Sequence, residues 1–361
     1  MEKSKILALG LGGCGNAQLS EFLGLDKRYT GIFMNTNMSE MENLKHFDRD
    51  RRCFYVPNAD GCGADRNLSE VYIKEEAPKF AEMIKKFTQQ DTIIMFASMD
   101  GGTGSKAMTM MALMIKKICP EKSINLVPTI PSLDATIVSF DNTMDTWNEI
   151  VDLKKHEIID SIMFIDNNKL EDEKEINRLA MKELDLGISI SENNVDTKDS
   201  FRAHTCLGYK VILNLDNNIN DLDKACDLAV NKSMFYVPES LECNILVGKI
   251  NDTFSKKDIE SKFQGYDFRK INVVNDADSK DRIKNMLILG GCDMPKEAID
   301  LIKEAKKDIQ KRKNSRITED LDDLKIRTVK KEKSEKHEQS NSKMEADELN
   351  DLFNDDDFWN L

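Results

Sequence analysis

The sequence predicts an α/β protein built on a mostly parallel sheet, with a smaller mixed region of strands and helices toward the C-terminus. Three observations predict it. Two glycine-rich loops each follow a short apolar run of strand length and precede a stretch with helical spacing. Strand-like and helix-like patterns alternate through roughly the first half of the chain, as in βαβ units. From Cys243 onward the strand-like runs recur without glycine loops.

Composition bounds the answer. A chain of 361 residues with 40% apolar content can bury two ordinary domains and still leave a tail. The formal net charge of -13 argues against the body binding nucleic acid directly. Eight cysteines show no Cys-x-x-Cys spacing and the four histidines are scattered, which suggests neither a zinc site nor a disulfide framework. The start enters a strand at once and no apolar run reaches membrane-spanning length, so no membrane role and a cytoplasmic location are expected.

The first strand, residues 6–9, feeds a loop containing Gly10, Gly12, Gly13, Cys14, Gly15 and Asn16, and residues 17–25 read as a helix. The loop satisfies Gly-x-Gly-x-x-Gly, so a dinucleotide oxidoreductase is one reading. That reading expects an acid at the end of the second strand, residues 31–34. Asn35 and Thr36 stand there instead. A third strand, residues 52–56, leads into a polar, glycine-containing loop at 57–65.

Residues 92–97 form the next apolar strand, followed by Asp100, Gly101, Gly102, Thr103, Gly104, Ser105 and Lys106, with a helix over 106–118. Three glycines in four residues let backbone N–H groups converge, and the helix N-terminus adds partial positive charge. An anion such as phosphate suits this loop. A Walker loop is excluded, because Lys106 follows Ser105 rather than preceding it.

Residues 123–128 are strand-like and Asp134 is the nearest carboxylate after them. Residues 160–170 hold a strand ending in Asp166, Asn167, Asn168, Lys169 and Leu170. Ile176, Leu179, Ala180, Glu183 and Leu184 then share one helical face. Residues 209–215 lead to the carboxylates Asp216 and Asp221 ahead of a helix over 222–235. Strands at 244–250, 270–274 and 285–289, a helix at 256–263 and a charged helix at 295–313 complete the folded part. Residues 325–343 are too polar to repay their ordering entropy. Residues 345–361 carry seven acids and no base, with Phe353, Phe358 and Trp359 among them.

Several of these motifs resemble the tubulin and FtsZ superfamily of GTPases. The loop at 101–105 is similar to the superfamily's Gly-Gly-Gly-Thr-Gly-Ser/Thr-Gly loop, with Asp100 and Lys106 at its ends. Gly12 to Asn16 resembles the tubulin Gly-x-Cys-Gly-Asn loop, and Asn35-Thr36 the end of its second strand. Residues 166–170 resemble Pro-Asn-Asp-Lys-Leu. The flanks look most like the plasmid and phage TubZ branch. The resemblance covers roughly residues 5–313.

The resemblance implies a Rossmann-like parallel-sheet GTPase domain at 1–172, a central helix and following segment at 173–207, a catalytic loop and C-terminal activation domain at 208–295, a helix at 296–318 and a tail at 319–361. It implies GTP or GDP with Mg2+. Phosphates would rest on Gly12, Gly13, Cys14, Gly15 and Asn16 and on Gly101, Gly102, Thr103, Gly104 and Ser105, with Asn35 at the end of the second strand; Asp134 is the nearest carboxylate to the turn at 129–132, which resembles the one that faces the ribose. Guanine would meet Asn167 and Asn177. Loop 57–65 would stand in the place that senses the γ-phosphate. Leu213-Asn214-Leu215-Asp216 resembles the opening of the catalytic loop, which in FtsZ carries a second Asp three positions on. Here the next carboxylate is Asp221, and Asp216 with Asp221 are the expected catalytic pair. The partners implied are other copies in a head-to-tail filament and a DNA-binding adaptor on the acidic tail, for plasmid or phage DNA. A nucleotide-binding relative without hydrolysis remains the alternative.

Overall fold

The computed structural model describes residues 1–57, 61–192, 195–274, 285–321, 353 and 356–360. The expected polar segment at 325–343 lies outside the described residues. Eleven strands form one sheet in the order β10-β9-β11-β8-β6-β5-β4-β1-β2-β3, with β7 beside β5. They are β1 (Ile6–Leu11), β2 (Thr30–Asn35), β3 (Cys53–Tyr55), β4 (Thr92–Ser98), β5 (Ser123–Ile130), β6 (Ser161–Ile162), β7 (Ile165–Asp166), β8 (Gly208–Asn214), β9 (Ile245–Ile250), β10 (Phe268–Val273) and β11 (Met286–Cys292).

From β3 through β8 every pairing is parallel. Only β11 runs against its neighbours, β8 and β9. A parallel sheet needs crossovers that cover its faces. The helices that supply them are α1 (Gly12–Leu25), α2 (Met38–Glu42), α3 (Arg66–Lys85), α4 (Thr103–Ile118), α5 (Ile137–Lys155), α6 (Glu173–Ile188), α7 (Thr197–His204), α8 (Leu222–Lys232), α9 (Lys256–Phe263) and α10 (Lys296–Leu321).

Coverage on both faces explains why β1 and β5 are buried along their whole length and read as continuous apolar runs. Successive side chains of β1 serve opposite cores. Leu7 and Leu9 join Phe80, Met111, Phe140 and Ile302 under α3, α4, α5 and α10. Ile6 and Ala8 join Phe22, Leu184 and Ile288 under α1 and α6.

Parallel pairing also gives the sheet two chemically different edges. The C-terminal ends of β1, β4, β5 and β8 share one edge, where the glycine loops emerge. The opposite edge carries Met1 and the end of α6, whose successor Ser191 donates to the Met1 carbonyl at 2.8 Å.

Three local outcomes differ from the sequence expectation. Both glycine loops are themselves the first turns of α1 and α4, so these helices begin at Gly12 and Thr103 rather than at 17 and 106. The short helix α7 was not anticipated. The run at 208–214 is a full interior strand, paired with β6 and β11.

Candidate nucleotide site

The two glycine loops touch. Gly12 sits at φ +70°, and a Cβ there would lie 2.9 Å from the Gly104 nitrogen. A Cβ on Gly104 would lie 2.4 Å from the Leu11 carbonyl oxygen. Neither position can carry a side chain, and together they present N–H groups at two helix N-termini to one cavity. Residues 12–14 and 101–104, Asn35 and residues 61–64 of the third loop line it. Gly15 packs against β4, and buried Ser105 donates from Oγ to the Gly101 carbonyl.

Polar bridges fix the three loops relative to one another. Thr36 and Thr103 share a hydroxyl hydrogen bond of 2.9 Å. Asn142 of α5 donates from Nδ2 to the carbonyls of Ala64 and Asp100, both at 2.9 Å. Lys106 turns away from the cavity and pairs with Glu70 at 3.0 Å and Glu149 at 3.1 Å. Burial disfavours charge on Glu149, but Arg66, Thr109 and Lys106 outweigh it and hold the carboxyl below its ordinary range. Lys106 thus braces α4 against α3 and α5.

A carboxylate that the sequence did not single out also lines the cavity. Glu40 accepts from Asn35 Nδ2 at 2.8 Å and from Asn37 Nδ2 at 3.3 Å. Among phosphates it would be repulsive. Against a hydroxyl group or a cation it would be favourable.

Beyond Cys14 the site continues along α1. Burial pushes the Cys14 thiol up to about 12, so it stays protonated and its sulfur faces Thr129. Gln18, fully buried, donates from Nε2 to Thr129 Oγ1 at 2.6 Å and to Asn177 Oδ1 at 2.9 Å. Asn16 donates to the Met34 carbonyl at 3.1 Å. The side-chain oxygens of Asn16, Gln18 and Asn167 are buried and accept from nothing in the protein. Buried acceptors in that state are rare and call for an outside donor. Asn167 follows β7, beside Thr129 and Ile130. Asp134 stands apart, exposed, bonded to Ser132 next to the Asn168 turn, and does not line the cavity.

The expected catalytic pair stands outside the cavity. Asp216 and Asp221 follow β8, which is parallel to β6, β5, β4 and β1, so they lie on the same sheet edge as the glycine loops. Neither residue lines the cavity. Both have local work. Asp216 accepts from Asn218 N at 3.0 Å in a turn, and Asp221 caps α8 through the N–H groups of Asp223 and Lys224.

The spelling Asn-x-Asp recurs in the sequence just before α7. Asn194-Val195-Asp196-Thr197-Lys198-Asp199 has the second Asp three positions after the first. Asn193 and Asn194 lie outside the described residues, but Asp196 caps α7, accepting from Lys198 N at 2.8 Å. The amino group of Met1 donates to the Thr197 carbonyl at 3.3 Å, which fixes this helix start at the N-terminal edge of β1. A six-residue strand separates the two edges by about 20 Å. The signal was legible as spacing. It was masked by the apolar run at 209–215, which supplies a similar Asn-Leu-Asp.

Comparison with known proteins bears on the whole arrangement. Residues 5–174 match the model of the Tubulin/FtsZ family, GTPase domain. The chain is 28% identical to a tubulin-like protein TubZ from Clostridium botulinum C phage over 284 residues, 75% of this chain and 78% of that protein. It superposes on Clostridium botulinum phage c-st TubZ, truncated at its C-terminal tail, with a TM-score of 0.75, covering 86% of this chain and 99% of that one at 24% identity. A GTPγS-form protofilament of TubZ from Bacillus thuringiensis serovar israelensis gives 0.75 as well, over 88% and 94% at 15% identity.

Proposed function

We propose that this chain, whose residues 5–174 match the Tubulin/FtsZ family, GTPase domain, hydrolyses GTP at the junction of two copies stacked head to tail. The observation that supports this best is the division of the site between opposite sheet edges. Phosphates would lie on the N–H groups of residues 12–15 and 101–104, with guanine reaching the orphaned acceptor of Asn167 and the amide of Asn177. Asp196 and Asp199 would arrive from the neighbour. One of them would orient a water behind the γ-phosphate and accept its proton.

Mg2+ would neutralise phosphate charge. Among the described residues no cluster of three His, Cys, Asp or Glu side chains could hold an ion, so phosphate oxygens and water would supply most of its ligands, as this cation tolerates. The filament would position plasmid or phage DNA through a DNA-binding adaptor held by the acidic tail. The net charge of -13 favours an adaptor over direct DNA contact. No described helix is long and apolar enough to cross a membrane.

Light scattering and phosphate release, followed together across protein concentrations, test the reading. We expect turnover per molecule to rise steeply with concentration as filaments form. Equal turnover in dilute and concentrated protein would remove the composite site. Tight GTP binding with no turnover at any concentration would instead make this a nucleotide-binding structural protein.

A further inference from the structure

The end of the chain docks on its own body. Phe353 and Phe358 are buried, 3% and 8% exposed, and belong to the core cluster that includes α3 and α4. Phe353 and Phe358 meet edge to face at 4.8 Å, and Trp359 closes the group by donating from its indole nitrogen to the Phe353 carbonyl at 2.9 Å. The body answers with two lysines. Lys117, near the end of α4, donates to the carbonyls of Phe358 and Asn360 and lies 4.9 Å from the Phe358 ring centre. Lys74 of α3 stands 5.9 Å from the Trp359 ring centre.

We propose that the surface formed by α3 and α4 is a docking site for a short acidic-aromatic peptide, and that the chain's own C-terminal hook occupies it as a reversible latch. Chemical complementarity supports the pairing. The hook reads Asp355-Asp356-Asp357-Phe358-Trp359, three acids before two aromatics, and the receiving side chains combine apolar contact with ammonium groups that take carbonyls and ring faces. Its small size supports reversibility, since a few aromatic anchors hold a free peptide only weakly. The covalent connection through residues 322–352 raises the local concentration of the hook to the ~mM range, enough to keep such a contact closed while leaving it displaceable.

The location gives the latch a consequence. The hook sits on the flank that bears α3 and α4, whereas the glycine loops and Asp196 occupy the two sheet edges. Docking therefore leaves both stacking edges uncovered. It withholds the aromatic end from any other protein that would read it.

A fluorescent peptide of residues 345–361, followed by anisotropy, tests this against two full-length chains. One is the natural sequence and the other carries Phe358→Ser with Trp359→Ser, which removes the resident hook. We expect the peptide to bind the double variant and to bind the natural chain more weakly by roughly tenfold or more, the discount that an intramolecular competitor imposes. Adding Lys117→Glu, an exposed position, should abolish most of the binding. Equal binding to both chains, or none to the double variant at millimolar peptide while circular dichroism shows it folded, would overturn the latch. A discount that disappears on diluting the natural chain would assign the hook to a neighbouring copy and overturn the assignment in cis.

Discussion

Two loops of this chain carry nearly the same letters. Leu213-Asn214-Leu215-Asp216 follows a buried strand, and Asn194-Val195-Asp196 precedes a short helix. Parallel pairing sends the first to the edge that already holds the glycine loops, and the α6 crossover sends the second about 20 Å away to the other edge. A carboxylate can serve a composite site only from the edge that faces a neighbour. The difference teaches that chain direction within the sheet decides at which edge each of two similar spellings lies, and so which of them the proposed composite site could use.

The sharpest way to break that comparison is to remove one acid from each loop. Asp199→Ala should lower GTP turnover by roughly 10²–10⁴-fold, the usual contribution of a positioned general base, while GTP binding and filament formation persist. Asp196→Asn keeps the cap on α7 and should lower turnover in the same direction. Asp216→Ala should leave turnover within about twofold. Phosphate release at fixed polymer mass measures all three. If Asp216→Ala alone is inactive, the assignment of the two loops is reversed.

The sequence carried the glycine cradles plainly, because three glycines in four residues between a strand and a helix have few other uses. It carried α7 poorly. Eight residues, six of them polar, are too few to establish a period, and Asp196 as a cap resembles any loop acid. Gln18 was hidden for a different reason. It lies two residues beyond a recognised loop, on the buried face of α1, where a lone polar residue between apolar neighbours has no sequence signature until its partners Thr129 and Asn177 are known. Glu40 likewise became visible only when β2 and α2 folded it back over Asn35.

The central helix connects the two regions, and Glu183 is the side chain that ties it to the structural loop. Its carboxylate accepts from Ser233 Oγ at 2.6 Å and from Met234 N at 3.0 Å, directly after Lys232, which lies 3.6 Å from Asp216. Burial raises this carboxyl from the ordinary 4.5 to about 7. The folded chain therefore keeps a proton that the unfolded chain releases above about 4.5. Stability should fall as pH rises from about 4.5 to about 7 and level off beyond, by an amount on the order of 2–3 kcal/mol. Glu183→Gln should flatten that slope in urea titrations at pH 5, 6, 7 and 8. An unchanged slope would show that Glu183 does not titrate there.

At the other end of the same helix the expected effect is smaller and bears on the base. Because Gln18 donates to Asn177 Oδ1, the free end of Asn177 is its NH2 group, a donor suited to the carbonyl of guanine and mismatched to the amino group of adenine. Gln18→Leu would leave Asn177 free to turn over and accept. The preference for GTP over ATP should drop about tenfold in competition binding, close to the ~1.4 kcal/mol of one hydrogen bond. Retention of full discrimination would mean that Asn177 is oriented without Gln18.

The mildest change sharpens the comparison from the structural side. Asp221 accepts from two N–H groups at the start of α8 and touches nothing in the nucleotide cavity. Losing a cap of this kind costs about 1 kcal/mol. In a chain of this length that lowers the melting temperature by only about 2 °C. Asp221→Ala should show that small loss with turnover per filament unchanged, and Asp221→Asn, which still caps, should show neither. A capping role predicts that serine at this position also restores stability, whereas a catalytic carboxylate would tolerate neither Asn nor Ser. The rank order Asp, Asn and Ser above Ala in melting temperature, with flat turnover across all four, is therefore the outcome that separates a helix cap from a reacting group at a residue whose sequence context allowed both.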